Sequence, residues 1–165
     1  MTVIVGVLGF AHAHVHNYSR MWRAHPDMEV VVRDGWDHDA VRLAQATATF
    51  GLNGAESPEA LLARPGLQAV LIGSETALHA ELVEKAARAG KAVILQKPIA
   101  LTMREADRIV TAVRDSGIPF TLAWQMRVDP QNLKMRELLN AGTLGRVFML
   151  RRRHGLPLCL DPKFA

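Results

Sequence analysis

Cysteine and aromatic residues are scarce in this chain. Among its 165 residues there is a single cysteine, Cys159, so no disulfide can form within the chain, and we expect a protein of the reducing cytoplasm. Aromatic residues make up 5% of the sequence, which leaves few rings on which nucleic-acid bases could stack. These shortages argue against a disulfide-stabilised secreted domain and against a nucleic-acid-binding surface.

Long hydrophobic runs and a strong charge of one sign are also missing. No apolar segment approaches the roughly 20 residues that cross a bilayer. The first apolar run begins at Val3 without a basic leader or a small-residue cleavage site, which predicts a buried strand. The net charge is +4, and its one dense cluster, Arg151 to Arg153, is narrow for nucleic acid. We expect neither a membrane nor a nucleic acid as partner.

The residues that are present suit a globular domain. Apolar residues make up 49% and charged residues 22%, enough for one domain and the start of a second. Short apolar runs predict strands over residues 3–9, 28–33, 68–74, 92–95 and 120–124. Helical patterns and caps predict helices over residues 14–24, 39–50, 78–89, 102–115 and 130–140, and a helix start at Ser57.

The alternation of strands and helices predicts an α/β fold, a doubly wound parallel sheet of the Rossmann type. We assign residues 1–125 to this nucleotide-binding domain. Residues 126–165 are predicted to form a linker helix and the first strand, over 146–153, of an incomplete α+β second domain. Ligands of such sheets bind at the carboxyl ends of the strands, near the switch in strand order, so the loops after the five strands should surround one site.

The loop after the first strand contains a degraded dinucleotide-binding pattern. Such a pattern needs small residues, so that backbone N–H groups reach a pyrophosphate at a helix N-terminus. Gly9 fits the first glycine and Ala11 takes the second place, whereas His14 stands where a third small residue is usual. We predict cofactor contacts at Gly9, Phe10, Ala11 and His12. A tight turn without a ligand is the alternative interpretation of this loop.

An acid after the second strand is expected to bind the adenosine ribose. Three candidates lie near that point, Asp34, Asp37 and Asp39. We favour Asp37, keep Asp34 as a possibility, and interpret Asp39 as a helix cap. An acid at this place repels a 2′-phosphate, which favours NAD over NADP as cofactor.

The most specific motif surrounds Lys97 and Pro98, at the end of the fourth strand. Together with His79, which follows the third strand, it resembles the glucose–fructose oxidoreductase, inositol dehydrogenase and MocA family. That family usually has Glu-Lys-Pro here, and Gln96 replaces the glutamate. Further matches are Arg127-Val128-Asp129-Pro130 and Leu144-Gly145-Arg146-Val147.

The resemblance implies an NAD(P)-dependent oxidoreductase, or a fragment of one. It would transfer hydride between the nicotinamide and a hydroxyl-bearing carbon of a small polar substrate, a sugar or a cyclitol. Lys97 would be catalytic, since an ammonium stabilises charge that develops on the substrate oxygen. Arg127 would orient the substrate. The resemblance further implies cofactor contacts by Ser74, His79, Gln96, Lys97 and Gln125.

Two departures keep a second interpretation open. Gln96 cannot carry the charge of the family's glutamate, and the family's general acid/base, a histidine of the second domain, is expected beyond residue 165. The second domain also forms the family's dimer, so a homo-oligomer is expected at full length. The alternative is a non-catalytic dinucleotide-binding module or a partner subunit that lacks the catalytic domain.

Three histidines near the first loop suggest a metal site at first sight. On a helix, His12 and His16 would share a face, with His14 between them. No acidic or cysteine partner stands at a suitable spacing. We therefore expect no metal.

Overall fold

A computed structural model describes residues 2–153, and Cys159 lies outside this range. The strands are β1 Val3–Leu8, β2 Val30–Trp36, β3 Asn53–Gly54, β4 Ala69–Ile72, β5 Ala92–Gln96 and β6 Phe120–Ala123. The α-helices are α1 Ala13–Ala24, α2 Ala40–Phe50, α3 Pro58–Leu62, α4 His79–Arg88, α5 Met103–Ser116 and α6 Pro130–Asn140. None of the helices within the described range is long and apolar enough to cross a membrane.

The six strands form one parallel sheet in the order β3-β2-β1-β4-β5-β6. This confirms the predicted doubly wound fold. The strand order reverses between β1 and β4, where Leu8 is aligned with Ile72. The chain leaves these two strands in opposite directions, which opens a crevice at their carboxyl ends. The candidate site lies there.

The core consists of two apolar clusters, one on each face of the sheet. Strand β4 is buried along its whole length, as its uninterrupted apolar sequence indicates. Because successive side chains of a strand point to opposite faces, Leu71 packs with Val7 in one cluster, while Ile72 packs with Leu95 in the other. The central strands are therefore held from both sides, and their carboxyl ends are rigid supports for loops.

Helix caps occur where the sequence places them. Thr102 and Glu105 form the predicted capping box of α5, each side chain accepting from the other's backbone N–H. Ser57 caps α3 by accepting from Ala60 N–H. Asp39 caps α2, so its interpretation as a cap is confirmed. These side chains satisfy N–H groups that have no partner inside the helix.

Two strands differ from the prediction. Strand β2 begins at Val30 and continues to Trp36, so Asp34 lies inside the strand and not in the loop after it. There its carboxylate is buried and bonded to Arg33. Strand β3 was missed, because a segment of two residues shows no hydrophobic period.

The chain divides into two units, Met1–Trp124 and Gln125–Ala165, one residue from the predicted boundary. In the second unit, α6 has the predicted bounds. The predicted strand over 146–153 is not formed in the described part of the chain. A strand needs a neighbour to pair its N–H and C=O groups, and without one the side chain of Phe148 is 92% exposed. That residues 126–165 begin a second domain stays a prediction.

Candidate functional site

The turn after β1 requires a glycine at its first position. Gly9 has φ +90°, a region that L side chains avoid. A Cβ on Gly9 would overlap the backbone of Ser74. Its N–H donates to Trp36 O at 2.7 Å. The turn is thus held between the ends of β2 and β4, which is where the prediction placed Gly9 and Ser74.

The loop after β4 also approaches the turn closely. His12 N–H donates to Gly73 O at 3.0 Å. A Cβ on Gly73 would collide with the side chain of Val15 in α1. The sequence analysis missed Gly73, although a glycine that directly follows a buried strand is a signal of close backbone approach.

Phe10 adds a bulky ring to the turn between Gly9 and Ala11, and the structure shows where this ring lies. Its ring is buried and packs over Gly35, where a Cβ would lie 3.0 Å from the ring. Its N–H donates to Asp37 Oδ2 at 2.7 Å. The ring of Phe10 therefore points into the core and away from the turn. Ala11 N–H has no acceptor among residues 2–153, which leaves it available for an external acceptor.

Asp37 lies beside this turn, but its carboxylate is fully engaged. It accepts from the N–H groups of Phe10 and Asp39 at 2.7 and 2.8 Å, and from Arg42 Nε and Nη2 at 3.0 and 2.8 Å. Burial raises the pKa of Asp37, but the hydrogen bonds from Arg42, Asp39 and Phe10 outweigh it, so the pKa lies below its ordinary value. Asp37 is an anion that fixes the turn.

Arg42 joins Asp37 to a second acid that the sequence analysis missed. Its Nη2 lies 2.8 Å from Glu75 Oε1. His38 Nδ1 lies 3.5 Å from Asp37 Oδ1 and 3.6 Å from Glu75 Oε2. Glu75 Oε2 is buried and has no hydrogen-bond partner among the residues that the structure describes. An acid directly after a predicted central strand was the available signal for Glu75.

His79 connects the loop after β4 with the loop after β5. Its buried ring places Nδ1 3.0 Å from Pro98 O and 3.2 Å from Ile99 O, and Nε2 3.3 Å from Ser74 O. Burial lowers the pKa of His79, although the carbonyl contacts oppose this. Neutral His79 thus supports the segment that carries Lys97.

Gln96 is fully buried at the end of β5. Its Oε1 accepts from Lys97 N–H at 3.1 Å, and this bond fixes which end of the amide faces the backbone. Its Nε2 is buried and has no partner within the described range. An unpaired buried donor costs about 1–3 kcal/mol, so Nε2 is available to an acceptor that residues 2–153 do not supply.

His79 ties the segment after Lys97 to Ser74, whose backbone lies close to Gly9 in the turn after β1. The pKa of His12 is lowered. The main cause is burial, and the nearby titratable groups of His14, Lys97 and His79 add to it. His12 is also the N-cap of α1, since its Nδ1 accepts from His14 N–H at 3.2 Å. The N-terminus of α1, which His12 caps, and the ammonium of Lys97 are the two groups here that favour an anion.

Two predicted site residues belong to the second unit. Gln125 and Arg127 form a 3-10 turn before α6, and their contacts with cofactor and substrate stay predictions. Among residues 2–153, no group of three or more His, Cys, Asp or Glu side chains is arranged to hold a metal ion.

Two histidines whose pKa is lowered, chiefly by desolvation, predict a dependence of stability on pH. The lowered pKa of both His12 and His79 means that the folded chain resists their protonation. The contribution of the two neutral histidines to folding stability is complete above the unfolded pKa of about 6.5. It is lost as the pH falls from 6.5 toward the lowered pKa values of the folded state. We expect Tm to decrease between pH 7 and pH 5, and to decrease less in His79→Gln. The control is His25→Gln, whose ring is 57% exposed. An unchanged Tm slope in His79→Gln contradicts the assignment.

Comparison with known proteins shows which family this chain resembles. A model of the oxidoreductase family with an NAD-binding Rossmann fold matches residues 1–123. Inositol 2-dehydrogenase 2 of Saccharopolyspora erythraea is 30% identical to this chain, with 93% of this chain and 45% of its own length covered. D-apiose dehydrogenase of Paraburkholderia graminis is 32% identical, with 88% and 37% covered.

A solved structure of an oxidoreductase is also similar to this chain. A 3-ketoreductase from Actinomadura kijaniata, in complex with NADP and TDP-benzene, matches with a TM-score of 0.73 and 27% identity, over 86% of this chain and 43% of that one. The chain spans less than half the length of these relatives. The family model covers three quarters of the chain, and the resemblance noted around Lys97 is confirmed. The chain belongs to the glucose–fructose oxidoreductase, inositol dehydrogenase and MocA family, whose NAD-binding Rossmann domain it contains.

Proposed function

We propose that this chain binds NAD(P) and provides the cofactor half of an oxidoreductase that acts on a sugar- or cyclitol-like substrate. When bound, the nicotinamide cofactor supplies or accepts the hydride. The inositol dehydrogenase and the apiose dehydrogenase among the relatives support this substrate class. The cytoplasmic location and a homo-oligomeric state remain predictions.

The observation that carries the proposal is the convergence of three loops. The turn at Gly9 is bonded to the end of β2 through Trp36 O and to the loop after β4 through Gly73 O. The segment that follows Lys97 is tied to the same loop, because His79 contacts both Pro98 O and Ser74 O. The available Ala11 N–H and the N-terminus of α1 suit a pyrophosphate, so these residues fit the phosphates of a dinucleotide.

Lys97 is the residue to which we assign catalysis. Its ammonium would donate to the substrate oxygen and stabilise the charge that develops there when hydride is transferred. Gln96 would position Lys97 through the bond to its backbone N–H. Gln125 would approach the nicotinamide and Arg127 the substrate. We propose NAD as the preferred cofactor, because acids surround the place of the adenosine ribose.

Binding of NADH tests the proposal. We expect its fluorescence to rise on titration with the chain, and to rise equally with Lys97→Ala. Wherever turnover of a sugar or cyclitol is measured, Lys97→Ala should lower kcat by about 10²–10³, the usual cost of one such donor. Lys134→Ala, an exposed lysine paired with Glu137, is the control and should change neither quantity. Failure of both NADH and NADPH to bind at millimolar concentration refutes the cofactor assignment.

A non-catalytic dinucleotide-binding module is the second candidate. Gln96 favours it, because an uncharged amide with an unpaired Nε2 stands where the family has a carboxylate beside the lysine. Dinucleotide binding without oxidation of any polyol, sugar or cyclitol in a panel supports the module. Reduction of NAD with any of these substrates removes it.

A further inference from the structure

Glu75 lies in the loop after β4 and contacts Arg42 and His38, which follow the end of β2. Its side chain is 42% exposed, but Oε2 is buried. Oε1 is bonded to Arg42, whereas Oε2 has no hydrogen-bond partner among the described residues. A buried carboxylate oxygen without a donor is costly. Glu75 therefore has acceptor capacity beside Asp37 that Arg42 does not use, with His38 Nδ1 3.6 Å from Oε2.

Asp37 has no such free acceptor. Each of its oxygens accepts one backbone N–H and one N–H of Arg42, and a carboxylate oxygen has two lone pairs to offer. A ribose diol therefore finds no unused lone pair on Asp37 unless Arg42 moves. The acid that the sequence pattern favours for the ribose is here occupied with fixing the turn.

The charges at this place also depend on Glu75. Arg42 neutralises Asp37 through a bidentate pair, so these two alone would leave a neutral surface with a guanidinium near any incoming phosphate. Glu75 adds a second carboxylate to the same guanidinium. His38 is the remaining titratable group, within 3.6 Å of both acids. With His38 uncharged, one negative charge remains, and it opposes a phosphate.

We propose that Glu75, whose side chain is 42% exposed, determines cofactor choice by accepting a ribose hydroxyl and repelling a 2′-phosphate. The proposal rests on the proposed function, because it assumes that the adenosine ribose binds at the end of β2. Arg42 is a positioning residue that keeps Asp37 occupied and holds the carboxylate of Glu75 in place. The site then prefers NAD(H) to NADP(H) because of an acid after β4, with Asp37 acting mainly on the turn.

The test is the ratio of the Kd values for NADPH and NADH, measured by fluorescence with the whole chain. We expect the wild type to bind NADH more tightly. Glu75→Gln keeps the size of the side chain and an oxygen for Arg42 but removes the charge. The variant should lower the NADPH/NADH ratio of Kd values by about tenfold, which corresponds to ~1.4 kcal/mol, mostly through tighter NADPH binding.

The matched control is Glu84→Gln. Glu84 also pairs with an arginine, Arg108, through two bonds of 2.8 and 2.9 Å between α4 and α5, away from the crevice. The Glu84→Gln variant should leave the ratio of the Kd values for NADPH and NADH unchanged. A loss of structure would weaken the binding of NADH and NADPH together and would leave the ratio of their Kd values unchanged.

Three results overturn the proposal. A wild type that prefers NADPH, or a Glu75→Gln variant whose ratio stays within twofold of the wild type, refutes the role of Glu75 while dinucleotide binding stands. Binding of neither cofactor by the wild type refutes the proposed function and this inference with it. The role of Glu75 is supported if Glu75→Gln lowers the ratio of the Kd values for NADPH and NADH while Glu84→Gln leaves this ratio unchanged.

Discussion

Gly9→Ala is expected to destabilise the fold by about 4 kcal/mol, at the upper end of single substitutions, and to abolish NADH binding. The added Cβ would overlap the backbone of Ser74, and β1 and β4 are held too firmly in the core to move apart. The turn would therefore lose its hydrogen bonds to Trp36 O and Gly73 O. Chemical denaturation and NADH titration measure the two effects.

Gly117→Ala separates this overlap from the cost of a positive φ. Gly117 has φ +67° and ends α5, and nothing lies within 4 Å of an added Cβ. We expect this variant to lose about 1 kcal/mol, the cost of a left-handed alanine, and to bind NADH normally. Equal losses in the two variants would show that the close approach of Ser74 to Gly9 is unimportant.

Asp37→Asn should cost about 3 kcal/mol and weaken NADH binding at least tenfold. Removing one partner of a buried ion pair leaves the other uncompensated, and an asparagine NH₂ would face donors of Arg42 or Phe10 where the carboxylate accepts four bonds. The turn after β1 would lose the bond that fixes Phe10 N–H. Because the pKa of Asp37 is lowered, the same stabilisation should disappear in the wild type as the pH falls below about 3.8.

Asp39→Asn is the control for this substitution. Asp39 lies two residues further along the same loop and caps α2 by accepting from the N–H groups of Val41 and Arg42. Asparagine caps helices about as well as aspartate. The free energy of unfolding should therefore change by less than about 0.5 kcal/mol. A loss as large as that of Asp37→Asn would mean that any charge change in this loop destabilises the fold.

Asp37 and Glu75 act differently on cofactor binding, and the experiments distinguish their roles. Asp37 acts on the geometry of the turn, so its substitution should weaken NADH and NADPH alike. Glu75 acts at the 2′ position of the adenosine ribose, so its substitution should change the ratio of the Kd values for NADPH and NADH. If Asp37→Asn changed the ratio and Glu75→Gln did not, the acid favoured by the sequence pattern would be the discriminating residue after all.

The sequence by itself determined the features that are encoded locally. The apolar run over β4 indicated a strand buried on both faces, and the Thr102–Glu105 pair indicated the start of α5. The motif at Lys97 and Pro98 indicated the family. Each of these depends on residues that are neighbours in the chain, where period, capping and turn chemistry act directly.

Only the tertiary structure decided which side chains meet at the crevice. It directed the ring of Phe10 over Gly35, filled the acceptors of Asp37 with Arg42, and brought Glu75 to the same guanidinium. These partners come from different loops and are set side by side by the parallel register of β1, β2 and β4. No local pattern carries that information, because the distance between two loops is fixed by the packing of the strands that bear them.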